Sequence, residues 1–168
     1  MDGKDTTMKN ETLVKDNLVI ENGRIMFRNF SGQESRFNKA GNRNFAVVID
    51  DLAEAERLAN EGWNVRYTKP REEGDEPLAY INVAVSYNNI PPMVVLVTKH
   101  GKTIIDEEEV GMLDWAEIIN SDLILRPYNW EVSGNRGVKA YLKTGYFTIE
   151  EDAFADKYRH VGEPNIDE

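Results

Sequence analysis

The 168-residue chain has the length of one domain; it is 40% hydrophobic and 30% charged, carries a net charge of −10 and contains no cysteine. Disulfide frameworks, thiolate metal sites and cysteine nucleophiles are thereby excluded, and a chain of this size can bury one core holding roughly two-thirds of its unfolded surface. The acidic balance argues against a uniformly phosphate-binding surface. Apolar runs such as Met93 to Val97 are far too short to span a membrane, and the N-terminus MDGKDTTMKNET lacks the apolar core of a signal peptide, so the protein is expected in the cytoplasm.

Residues 1–16 are polar and unpatterned and read as a flexible leader. The stretch NLVIENGRIMFRNF, from Asn17 to Phe30, predicts two strands joined by a tight turn at Asn22-Gly23. In its second half Ile25 and Phe27 alternate with Arg24, Met26, Arg28 and Phe30, which places Arg28 and Phe30 on a mixed basic and aromatic face. SGQESRFNKAGNRN follows, rich in turn formers and holding Arg36, Phe37, Lys39 and Arg43. It predicts a loop that could close over a ligand, or equally a connector with Phe37 tucked into the core.

Phe45 to Ile49 reads as a buried strand. Asp51 then offers an N-cap with Glu54 as its capping-box partner, and Gly62 a stop, for a short helix packing Leu52, Ala55 and Ala59 inward with Leu58 close by. Trp63 to Lys69 alternates like a strand, and PREEGDEP is a charged, exposed loop. Leu78 to Tyr87 and Met93 to Thr98 are strands, with Lys102 to Ile105 pairing back after a His100-Gly101 turn. Asp106 opens an acidic helix, DEEEVGMLDWAEIIN, whose inward face takes Val110, Leu113, Ile118 and Trp115.

Leu123 to Ile149 is the most strongly patterned stretch. Ile124, Arg126, Tyr128 and Trp130 fall on one face and Leu123 and Leu125 on the other; past SGNRG, Val138, Ala140 and Leu142 are apolar, while Lys139, Tyr141 and Lys143 point away. This predicts a hairpin with one dry face and one face of rings among cations. Bases can stack on the rings and phosphates can follow the cations, which suits a single-stranded nucleic acid; a solvated sheet face rich in β-forming aromatics is the plainer alternative. EEDAFADKYRHV predicts a last short helix, and residues 156–168 an acidic tail. The whole is mainly β with two or three short helices, about eight or nine strands joined by hairpins rather than parallel crossovers, forming an antiparallel barrel or sandwich.

Charge is segregated along the chain. Arg24, Arg28, Arg36, Lys39 and Arg43 face only Glu34 between Gly23 and Phe45, whereas Thr103 to Asp122 holds acids alone. A basic groove on an acidic body is compatible with this. Catalytic groups are scarce: His100 and His160 are the only histidines, and no P-loop, Rossmann fingerprint, nucleophile elbow or helical zinc pair is present, so neither an enzyme nor a cofactor or metal is expected.

The segments FRNFSG, RNFAVVIDD, GWNVRY and RPYNWEVSGNRGVKAYLKTGYFTIEED together resemble the OB-fold single-stranded DNA-binding proteins of tailed bacteriophages, over residues 18–155. The resemblance implies a five-stranded Greek-key barrel with additional strands in a single domain, residues 17–155, binding single-stranded DNA across its face in replication or recombination. It implies contacts from Arg28, Phe30, Arg126, Tyr128, Trp130, Lys139, Tyr141 and Lys143, with Arg136 at the rim, besides Arg36 and Arg43 of the basic loop. Such proteins often recruit replication partners through an acidic C-terminus; this one ends Ile166-Asp167-Glu168, without a terminal aromatic. A homodimer is left open. The rival reading is an acidic protein-binding inhibitor that mimics DNA, which the net charge favours.

Overall fold

The computed structural model of the protein describes residues 13–70, 72–88 and 90–151. The described residues form eight strands: β1 (Leu18–Asn29), β2 (Arg43–Ile49), β3 (Val65–Tyr67), β4 (Ala79–Val85), β5 (Met93–Thr98), β6 (Gly101–Ile105), β7 (Ile118–Val132) and β8 (Asn135–Ile149). One helix, α1 (Leu52–Glu61), and one 3-10 turn (Val110–Asp114) complete the described elements. Strands β1, β2, β4, β8 and β7 pair in that order, and β7 returns to β1, closing a five-stranded barrel. All these pairings are antiparallel except β4 with β8, the closure of an OB-fold.

Alternation fills the barrel. Phe45 and Val47 of β2, Ile81 and Val83 of β4, Leu123 and Leu125 of β7, and Leu142 and Phe147 of β8 all point inward and are buried. Strand β3 widens the sheet beside β4, and β5 with β6 widens it beside β8. The expectation of hairpin connections alone is corrected here, because β8 pairs in parallel with both β4 and β5. At fifteen residues, β8 is long enough to offer one edge to β4 at Ala140-Tyr141 and then to β5 from Thr144 onward.

Strand β1 corrects a second expectation. Asn22-Gly23 is no hairpin turn: the chain runs on as one strand, and Asn22, at φ 56°, is an extra residue between the Ile20–Leu123 and Gly23–Ser121 pairs. A second bulge lies between the Met26–Ala46 and Asn29–Asn44 pairs, where Phe27 sits at φ 53°. One inserted residue inverts the faces that follow. Phe27, expected inside, is 61% exposed, and Phe30, expected outside, is completely buried. Phe30 stacks on Phe45 at 5.0 Å and meets Phe147 edge-on at 5.6 Å. The left-handed backbone of a bulky residue costs about 1–3 kcal/mol, and burying the Phe30 ring returns about as much.

Helix α1 starts and stops as its sequence predicts. The Asp51 carboxylate accepts from the Ala53 and Glu54 amides, and Gly62 closes the helix at φ 117°. Glu54 does not complete a capping box; its side chain pairs with Arg57. Ala55 and Leu58 are the buried residues of α1, while Leu52 is exposed.

The acidic helix is not formed beyond the turn Val110–Asp114. Val110 and Leu113 are buried as expected, but Trp115 is exposed. Helix is stopped from both sides: the Asp114 carboxylate accepts from the Phe30 and Ser31 amides and the Ser31 hydroxyl, and the β-branched Ile118 pairs with Ile149 in the barrel. The leader also has a docked end. Val14 is buried, and its amide and carbonyl both bond the Asn129 side chain. The first twelve residues, most of the expected terminal helix and the acidic tail lie outside the described residues.

Candidate nucleic-acid interface

The β7–β8 hairpin is built as its two-residue period predicts. Leu123, Leu125, Val138, Ala140 and Leu142 are buried, and the outer face pairs Arg126 with Tyr141, Tyr128 with Lys139, and Trp130 with Gly137. Its turn, Ser133-Gly134, takes positive φ at both residues, the hand that matches strand twist. The Tyr141 ring is the centre of this face. Lys139 Nζ lies 5.2 Å and Arg126 Cζ 5.7 Å from its centroid, and Tyr128 meets it edge-on at 6.0 Å. A ring held among cations presents a flat face where phosphate charge is welcome.

Because Ala84 of β4 pairs with Tyr141, the hairpin's outer face continues onto β4 and β2. Opposite the hairpin stands the loop 31–42. Its neck is closed by the Gly41 amide donating to the Gly32 carbonyl at 2.8 Å, where Gly32 has φ 69° and a Cβ would stand 3.0 Å from the Gly41 carbonyl carbon. Asp114 fixes the loop's first residues, and Asn38 side-chain bonds to the Gln33, Lys39 and Asn42 carbonyls hold its turn. At its tip Phe37 is 91% exposed, with Arg36 Cζ 5.5 Å from the ring centroid. The core position considered for Phe37 is therefore not taken.

Between loop and hairpin runs a groove of about 750 Å³, lined by Phe37, Arg43, Tyr87, Trp130, Lys139 and Tyr141, with Asn44 and Asn82 among the polar side chains beneath them. Arg43 Cζ lies 5.7 Å from the Tyr87 ring centroid, and its Nη1 pairs with Glu107 at 3.1 Å. The buried Arg43 Nε and Tyr87 hydroxyl have no hydrogen-bond partner among the described residues. Burial pushes the Tyr87 phenol up from its ordinary value, against the opposing charge of Arg43, so the group stays a protonated donor.

The sequence-predicted residues divide. Arg43, Trp130, Lys139 and Tyr141 line the groove; Arg126 and Tyr128 adjoin it through Tyr141, and Arg36 through Phe37. Arg136 is exposed near the hairpin tip, opposite Glu131. Lys143 is the extra residue of a bulge between the Leu125–Leu142 and Ile124–Thr144 pairs, exposed but not part of the groove lining. Two expectations are corrected outright. Phe30 belongs to the core, and Arg28 Nη1 is held by the Leu113 and Ala116 carbonyls at 2.8 and 2.7 Å, outside the groove. Tyr87, Asn82 and Glu107 were not predicted; they reach the groove only through the closure of β4 on β8 and the path of the acidic turn.

A closed OB barrel with a ring-and-cation groove between its first loop and its last hairpin defines a nucleic-acid-binding module. The sequence matches the family model "Putative phage ssDNA-binding domain" over residues 7–168, and the chain belongs to that family. Among solved structures it is similar to the single-stranded DNA-binding protein of bacteriophage Enc34 in complex with ssDNA, with a TM-score of 0.56 at 9% identity over 83% of this chain and 89% of that one. The same phage protein in another structure gives a TM-score of 0.55 at 10% identity, over 90% of this chain and 87% of that one. At such identities the likeness is one of fold. No curated protein matches the sequence. No described helix is long and apolar enough to cross a membrane.

Proposed function

We propose that this protein coats single-stranded DNA without regard to base sequence, as a non-enzymatic component of phage DNA replication or recombination in the host cytoplasm. Membership of a family of phage ssDNA-binding domains supports the ligand. The groove supports the mode of binding: bases stack on Trp130, Tyr141 and Phe37, while Lys139, Arg43 and Arg126 take phosphates. Every base has a π-face, so stacking of this kind contributes without reading sequence. The single observation that carries the reading is the convergence of loop 31–42 and the β7–β8 hairpin on one open trough. Arg43, whose side chain lines the groove and is about one-fifth exposed, is a cation that a phosphate in the groove can reach. Recruitment of replication proteins through the acidic C-terminus is part of the same proposal.

Tryptophan fluorescence tests it. Trp63 is buried and Trp115 lies by Arg28 on a different surface, whereas Trp130 lines the groove. Adding oligo-dT at low salt should quench emission, salt should restore it, and Trp130→Phe should remove most of the response. Absence of quenching at micromolar protein and low salt would turn the assignment toward an acidic inhibitor that imitates DNA.

A further inference from the structure

A second concavity lies on the same sheet face, beyond the groove. It measures about 980 Å³ and is lined by Phe27, Arg66, Tyr67, Lys69 and Tyr80, with Asp75 and Glu76 also in its lining. The register explains how the two are joined. Tyr80, Asn82 and Ala84 share the outer face of β4; Ala84 pairs with Tyr141 and Asn82 borders the groove, while Tyr80 lines the second cleft and pairs with Arg66 of β3. From Ala84 to Tyr80 is four residues along one strand, about 13 Å. Nothing bulkier than the Asn82 side chain stands between them on that strand.

The cleft carries the same chemistry as the groove. Phe27 is 61% and Tyr67 49% exposed, and Phe27 meets Tyr80 edge-on at 5.6 Å. Phe27 owes its outward position to the β1 bulge, in which a bulky residue holds φ 53°. The bulge that turns Phe30 into the core thus also leaves the Phe27 ring on the surface, beside two other rings and two cations. Asp75 accepts from the Glu72 amide, and together with Glu76 it offsets part of the positive charge that Arg66 and Lys69 bring to the cleft.

We propose that the DNA strand leaving the groove at Tyr141 runs along β4 over Asn82 and enters this cleft, where its bases stack on Phe27 and Tyr67 and its phosphates meet Arg66 and Lys69. The inference rests on the groove as the primary site and extends it into a longer footprint. One OB barrel covers about 4–16 nucleotides, so a short strand can fill the groove alone and a long one reach the cleft.

The test compares labelled oligo-dT of about six and about sixteen nucleotides, the range one barrel spans, on the full chain and on two variants. R66E/K69E reverses the cleft's charge, and Phe27→Asn removes its ring with a residue that accepts the left-handed backbone. Both variants should bind the short strand within about twofold of the parent and the long strand about tenfold or more weakly, and the charge variant should lower the long strand's salt slope by about 1.4, at roughly 0.7 per phosphate lost. Unchanged long-strand affinity, or an equal loss on both lengths, would overturn the proposal. If the parent chain itself binds neither length, it is the groove reading that fails.

Discussion

Trp130 occupies the space that a side chain on Gly137 would need: a Cβ there would stand 2.6 Å from the indole Cζ2 and 2.9 Å from Nε1. The two residues are direct cross-strand partners, so the absence of a side chain at one sets where the ring of the other lies. Gly137→Ala is expected to push the indole off its seat, lowering oligo-dT affinity and shifting the Trp130 emission. The thermal midpoint should change little, because the outer face here is open. Unaltered affinity would show that the seat is irrelevant to binding.

The exchange of places between Phe27 and Phe30 gives a paired expectation. Trp130, on the groove, is 38% exposed, and its replacement by alanine should weaken strand binding about fivefold to 150-fold, from roughly 1–3 kcal/mol for each stacked base, with a nearly unchanged Tm. Phe30→Ala should do the reverse. Loss of a fully buried ring costs about 3–5 kcal/mol, or roughly 10 °C or more of Tm for a domain of this size, while binding measured below that midpoint persists. Calorimetry and anisotropy on both variants check the pair, and equal destabilisation by the two would place Trp130 in the core.

What the sequence makes legible is the part of the chain where the two-residue period runs unbroken. From Leu123 to Leu142 every inward and outward assignment of the hairpin holds, because the strands are long and their turn is short. Strand β1 misleads because bulges at Asn22 and Phe27 each insert one residue, and a left-handed phenylalanine leaves no trace in composition. Asn22-Gly23 carries a genuine turn signal, which a bulge uses as readily as a hairpin. Tyr87 and Glu107 could not be placed at the groove from sequence, since only the parallel β4–β8 closure and the folded-back acidic turn bring them there. The same contact qualifies the segregation of charge along the chain: acid and base separated in sequence meet in space at Arg43 and Glu107.

That ion pair predicts a gain of function. Glu107 lies 3.1 Å from Arg43 and borders the groove, so a phosphate entering there competes with a carboxylate already in place. Glu107 is half exposed, and pairs of this kind contribute only about 0.2–1 kcal/mol. Glu107→Gln should therefore tighten oligo-dT binding by no more than about fivefold, the equivalent of that energy, and the advantage should shrink as salt screens the competing charge. Titrations at two salt concentrations check it. Weaker binding by the variant would mean that Glu107 instead positions Arg43 for the phosphate.

Tyr87 makes stability depend on pH in the alkaline range. Burial raises its phenol above the ordinary value of 10.0; the nearby Arg43 charge opposes this, and Glu107 and Asp106 add smaller upward pushes. A folded-state value above the unfolded one means that the native protein holds this proton more tightly, so the contribution is fully present below about pH 10 and is lost as pH rises through the folded value. Tyr87→Phe cannot ionise and lacks that limb. At neutral pH the variant should be within about 1 kcal/mol of the parent, because the hydroxyl it loses has no partner among the described residues. Urea unfolding at pH 8 and above pH 10 would then show the parent losing more stability than the variant over the interval. Parallel losses would mean that the phenol ionises as freely in the folded protein as in the unfolded chain.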